Sequence, residues 1–170
     1  MRIADSQLKS FILDGELILP KDLARAEADA TKSKKSLHEV ILNLGLIAET
    51  DLRRLEAYIL GIPFVDLSKE TIDPKVLHFI PEPIARKSNV VAFKKSGNEL
   101  QVAMLDPDDI QTIEFIKKTA NLKILPRLTN TESIKAVLKQ YQKSLEAEFG
   151  EIIKQEAEGI TVLGESEAAA

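Results

Sequence analysis

The sequence predicts an α+β protein. A four-helix subdomain of two hairpins occupies residues 1–60, a small α/β sandwich-like subdomain residues 61–142, and an acidic, partly disordered tail residues 143–170. Three observations carry this. Apolar residues recur at helical spacing in two similar passes before Gly61. Beyond Pro63 the texture changes to short apolar runs with a glycine turn between two of them. The charge is also uneven: residues 143–170 hold two lysines against seven glutamates, a net of −5, which leaves 21 basic and 20 acidic groups in the rest of a chain of net charge −4.

Leu8, Phe11 and Ile12 share one helical face, and Gly15 stops that first helix. Pro20 suits the first turn of a second helix with Leu23, Ala26 and Ala30 inward, ending in the polar run Thr31–Lys35. The period restarts at Ser36 with Leu37, Val40, Ile41 and Leu44, and Gly45 closes it. Glu49 or Thr50 opens a fourth helix with Leu52, Leu55 and Ile59, stopped by Gly61 and Pro63. Residues 11–23 resemble residues 40–52: the Leu-Ile and Asp-Leu pairs coincide and the glycines fall one place apart.

Ile62–Leu67 is short, apolar and proline-marked, which predicts an edge strand. Brief helices follow at Asp73–Phe79 and from Pro81 through Arg86. Val90–Phe93 and Glu99–Met104 read as a hairpin turning across Lys95–Asn98. Asp106 or Asp108 is expected to cap a helix with Ile113, Phe115 and Ile116 inward. Leu122–Leu128 reads as a strand, and Thr131 is expected to cap a last helix through Tyr141. The order is β-α-α-β-β-α-β-α. Past Tyr141 the helical period weakens, and the glutamate-rich stretch has too little apolar surface to fold alone.

Several function classes drop out. The 170 residues include no cysteine, which removes disulfides, thiolate metal sites and a cysteine nucleophile. A near-neutral body without a basic stripe predicts no nucleic-acid partner, and no apolar run approaches the ~18 residues that suggest a membrane span, so no direct membrane insertion is expected. The N-terminus does not open into a signal-peptide stretch, and the cytoplasm is the expected compartment. Gly159 and Gly164 have the spacing of a phosphate-binding loop, but Glu165 stands where that loop needs lysine, and linker is the better reading. His38 and His78 have no partner at metal-ligand spacing, with Glu39 and Asp73 unconvincing. Asp106, Asp108 and Asp109 lack the ligand alternation of a calcium loop. No serine lies in a nucleophile elbow. No catalytic residue, metal or cofactor is expected.

The chain from Leu37 to Tyr141 resembles the N-terminal, MshEN-like region of type II secretion and type IV pilus assembly ATPases. The resemblance is carried by residues 44–52, 60–67, 72–82 and 100–109, by Ala85-Arg86, and by the closing Lys139-Gln140-Tyr141; in all it covers roughly residues 5–142. It implies a non-catalytic docking and regulatory module whose partners are the inner-membrane platform protein and the ATPase motor domain, with the chain ending before that motor. In part of this family the helical half binds cyclic di-GMP through tandem motifs that begin Arg-Leu-Gly and end in Gln. The matching positions here are Gln7, Leu8 and Lys9 in the first repeat, with an apparent one-residue insertion near Glu16. In the second they are Ser36, Leu37 and His38, then Gly45, with Ile59 for the closing Gln. The Arg and the Gly are lost in both, and with them a charge-assisted contact and room for close backbone approach. Cyclic di-GMP sensing is therefore the alternative function, on a degenerate motif.

Overall fold

The computed structural model describes the backbone of residues 3–169 and the side chains of 3–147, 149, 150 and 153. Four helices come first: α1 (Asp5–Asp14), α2 (Pro20–Ser33), α3 (Leu37–Asn43) and α4 (Glu49–Leu60). α3 packs against both α2 and α1. The inward stripes make one apolar cluster, with Leu8, Ile12, Leu23, Ala26, Leu37, Ile41 and Leu52 fully buried. Burying each leucine or isoleucine contributes about 1.5–3 kcal/mol, more than the helices' intrinsic propensities supply.

The two passes superpose at the level of individual hydrogen bonds. At the end of α1, the N–H groups of Gly15, Glu16 and Leu17 donate to Phe11, Leu13 and Ile12. At the end of α3, those of Leu44, Gly45 and Leu46 donate to Val40, Leu42 and Ile41. Every partner is displaced by 29 residues. The pattern is a Schellman turn, whose C′ residue must be left-handed: Gly45 holds φ 67° and Glu16 holds φ 52°. The expected insertion near Glu16 is therefore absent. The turn stays in register, and only the glycine has moved, to Gly15, where φ is −84° and no glycine is required.

After α5 (Pro74–Leu77) and α6 (Glu82–Ser88) the chain enters a three-stranded sheet. β1 (Val90–Ser96) pairs antiparallel with β2 (Glu99–Met104) across Gly97, whose φ of 58° suits the tight turn. β3 (Lys123–Leu128) pairs parallel with β2, and α7 (Ile110–Ala120) supplies the crossover that parallel pairing demands. Pro126 fits because β3 is the outer strand. Residues 62–67 form one bridge, Phe64 to Leu128, in place of the expected strand: Val65 N–H donates to Leu128 O and Leu128 N–H to Pro63 O. Pro63 has no N–H with which to extend a ladder. A second apolar cluster joins Leu77, Ile80, Val90, Val102, Met104, Ile116, Val137 and Tyr141.

Two caps differ from expectation. Asp109, not Asp106 or Asp108, accepts the Thr112 N–H at the start of α7, while Asp106 closes a local turn onto the Asp108 N–H. Asn130, not Thr131, accepts the Ser133 N–H at the start of α8 (Thr131–Ala169). α8 continues past Tyr141, through a stretch rich in the helix formers Glu and Ala. Side chains of the Gly159–Ser166 segment lie outside the described residues, as does Ala170. The Tyr141 hydroxyl sits 2.6 Å from Ile80 O and 2.9 Å from Leu77 O. Burial first, and then the Glu82 carboxylate, hold this phenol above its ordinary pKa.

Candidate functional site

Six of the eight positions singled out in the sequence, Gln7, Leu8, Lys9, Ser36, Leu37 and His38, fall around the N-terminal ends of α1 and α3. Leu8, Ser36 and His38 line a cleft of about 430 Å³ together with Asp5, Glu39, Arg53, Glu56 and Leu105, so both apolar clusters have neighbours on it. Lys9 and Leu37 line an adjoining recess of about 350 Å³ with Glu27 and Lys35, and Asp5 touches both hollows. Gln7 is exposed on α1, Gly45 forms the turn after α3, and Ile59 packs on the helical core. The structure thus gathers five of the eight and leaves Gln7, Gly45 and Ile59 outside both hollows.

Most of the gathered residues have structural work. Leu8 and Leu37 are core side chains. Ser36 is the N-cap of α3 and accepts the Glu39 N–H at 3.2 Å. Next to it, the Leu37 N–H donates to Asp5 Oδ1, tying the start of α3 to α1.

The third position of each motif, where the dinucleotide-binding pattern has glycine, carries a side chain closed onto a glutamate. Lys9 Nζ lies 2.9 Å from Glu27 Oε1, and His38 Nδ1 lies 2.8 Å from Glu56 Oε1. The same shift of 29 relates both partners of the two pairs. Neither glutamate stands at the metal-ligand spacings considered for His38, so local spacing alone does not reveal these partners. The signal was present: in each repeat the basic residue and the glutamate stand 18 apart.

The two pairs differ in environment. Side chains of the Lys9–Glu27 pair are 43% and 36% exposed, and Lys9 also donates to Glu27 Oε2 at 3.2 Å. Those of His38 and Glu56 are 22% and 2% exposed. Their close approach does not meet hydrogen-bond geometry, so His38 Nδ1 and Glu56 Oε1 remain buried polar atoms with no hydrogen-bond partner among the described residues, as does Arg53 Nε. Arg53 is held instead through Nη1, which donates to Leu105 O at 2.8 Å.

His78 does not approach a metal set either. Its ring meets Tyr141 edge-on with centroids 5.7 Å apart, and Nε2 lies 3.2 Å from Ser144 Oγ. Among the described residues no three or more His, Asp or Glu side chains gather as metal ligands, and no helix is long and apolar enough to cross a membrane.

Comparisons with known proteins agree with this architecture. The MshEN domain family matches residues 60–148. The type IV pilus assembly ATPase PilB of Thermus thermophilus is 28% identical over 144 residues, covering 83% of this chain and 16% of that protein. PilB of Myxococcus xanthus is 25% identical over 164 residues, 91% of this chain and 29% of that protein. The chain therefore spans less than a third of the length of either relative. Among solved structures, MshE with cdg has a TM-score of 0.67 at 22% identity, covering 79% of this chain and 97% of that one. The N-terminal domain of XpsE has a TM-score of 0.59 at 20% identity, covering 82% and 96%. These two establish the fold.

Proposed function

The chain belongs to the MshEN domain family, and on that premise we propose that it is a non-catalytic docking and regulatory module of a secretion or type IV pilus assembly ATPase. It binds the cytoplasmic side of the inner-membrane platform protein and couples it to a motor domain. Residues 1–60 and 61–142 serve as its two units, and residues 143–170 as the connection onward. The observation that carries this reading over a ligand sensor is the pair of internal contacts, Lys9–Glu27 and His38–Glu56. They fill the positions where a dinucleotide would need glycine, and neither repeat has the arginine that would meet its phosphate or guanine edge.

Cyclic di-GMP sensing is the second reading. It draws support from the fold shared with MshE, described with cdg, and from the cleft beside His38. The two separate in one set of assays. A docking module captures the platform protein's cytoplasmic region with or without dinucleotide, and calorimetric titration with cyclic di-GMP gives no saturable heat. A sensor gives saturable heat and is stabilised by ligand, by about 2.7 kcal/mol at a hundredfold excess over Kd.

A further inference from the structure

α4 carries a row of side chains that reach the sheet-containing unit. From its first turn, Glu49 Oε1 accepts the Thr131 N–H at 2.6 Å, and Thr50 Oγ1 accepts from Asn130 Nδ2 at 2.9 Å. One turn on, Arg53 Nη1 donates to Leu105 O. Thr131 is the first residue of α8, so its N–H has no acceptor within its own helix. A carboxylate brought from another helix satisfies it and also suits the positive end of the α8 dipole. Asn130 works at both ends of its amide: Oδ1 caps α8 through the Ser133 N–H, and Nδ2 is free for Thr50.

The repeat shows that these groups are not needed to make a helix-turn-helix. Displaced by 29, the positions of Glu49, Thr50 and Arg53 hold Pro20, Lys21 and Ala24. Proline and alanine side chains offer no polar atom, and lysine cannot accept a hydrogen bond. α2 forms all the same. The bridging groups are therefore an addition specific to the second half, placed where α8 begins.

We propose that α4 is a latch: Glu49, Thr50 and Arg53 fix how the helical unit sits against the start of α8 and the sheet-containing unit that anchors it, so that a partner displacing α4 reorients α8 relative to the helical unit. The latch supplies a physical route for the coupling in the proposed function and rests on that reading for its purpose. Its test needs no partner, so failure to bind a platform protein and failure of the latch are distinguishable.

Because the chain has no cysteine, Ser10→Cys on α1 and Lys139→Cys on α8, both exposed, give one unique pair of spin-label positions on the full 170-residue chain. Double electron–electron resonance should give one narrow distance distribution for this pair. Glu49→Ala with Thr50→Val removes both acceptors while leaving Asn130 to cap α8. It should broaden or displace the distribution and raise the exchange rate of the Thr131 amide about tenfold, as loss of a charge-assisted bond implies. Glu49→Gln, which keeps an acceptor, should restore the narrow distribution on its own. Should the double variant not fold, each single substitution is read in the same way. An unchanged distribution overturns the latch. So does faster Thr131 exchange without a change in distance, which would reduce Glu49 to a cap.

Discussion

The two halves of the helical unit share a backbone plan and diverge in what their side chains do. Lys9–Glu27 and His38–Glu56 occupy equivalent places, yet the first faces solvent and the second is covered beside Arg53 and Leu105. The lesson is that a repeat preserves geometry while surroundings set energetics. An exposed ion pair gains little because water screens it and side-chain entropy opposes it. A covered carboxylate has lost its hydration, so removing its neighbour leaves a desolvated group without compensation.

Substitutions can break or sharpen that contrast. The largest effect is expected from His38→Ala, which takes away the group 2.8 Å from the buried Glu56 Oε1 and should cost about 2–3 kcal/mol in urea unfolding. Lys9→Ala, its counterpart, should cost under about 1 kcal/mol. Equal costs would break the comparison. Tyr141→Phe is the reference from the second cluster: it removes the one donor facing Leu77 O and Ile80 O and should cost about 1–3 kcal/mol, without altering the ratio between the two halves.

The turns give a finer test. Gly45→Ala meets no atom within 4 Å of the added Cβ, so its expected cost of about 1 kcal/mol comes from the left-handed backbone alone. Glu16→Gly should move stability the other way, by up to about 1 kcal/mol, since it relieves the same strain at the equivalent place. Thermal unfolding of both variants checks the opposite signs. Asp66, outside the repeat, supplies the smallest effect. The Ser68 hydroxyl first, then the Ser68 N–H, with help from Ser133 and Arg54, hold its carboxyl below the ordinary 3.8. A depressed carboxyl stabilises the fold above pH 3.8 and loses that contribution as pH falls through its folded value. Asp66→Asn should therefore cost a little stability at neutrality, where that contribution is present, and flatten the acid limb below about pH 4, where the parent chain loses it as well.

Much of the fold was legible because it rests on local periodicity. Leu37, Val40 and Ile41 mark a helix face whatever lies around them, and Gly97 marks a hairpin between two apolar runs. Choices among neighbours were less legible. Asp106, Asp108 and Asp109 are chemically alike, and only the backbone path makes Asp109 the cap. Asn130 and Thr131 are both good caps one position apart, and only the backbone path makes Asn130 the acceptor for Ser133. The bridge at Phe64 falls short of a strand because Pro63 has no N–H to donate. At the candidate site the motif positions follow from a resemblance, but the glutamates that meet Lys9 and His38 lie a helix away. His38 meets Glu56 only when α3 folds against α4, although the matching spacing of Lys9 and Glu27 carried the clue.

The proposed docking role requires that the chain recognise a protein partner while its dinucleotide positions are closed from within. The most direct measurement is the affinity of the 170-residue chain for the platform protein's cytoplasmic region, titrated with and without cyclic di-GMP. The account predicts saturable binding with the same Kd in both titrations. Absence of binding, or binding that appears only with the dinucleotide, would contradict it.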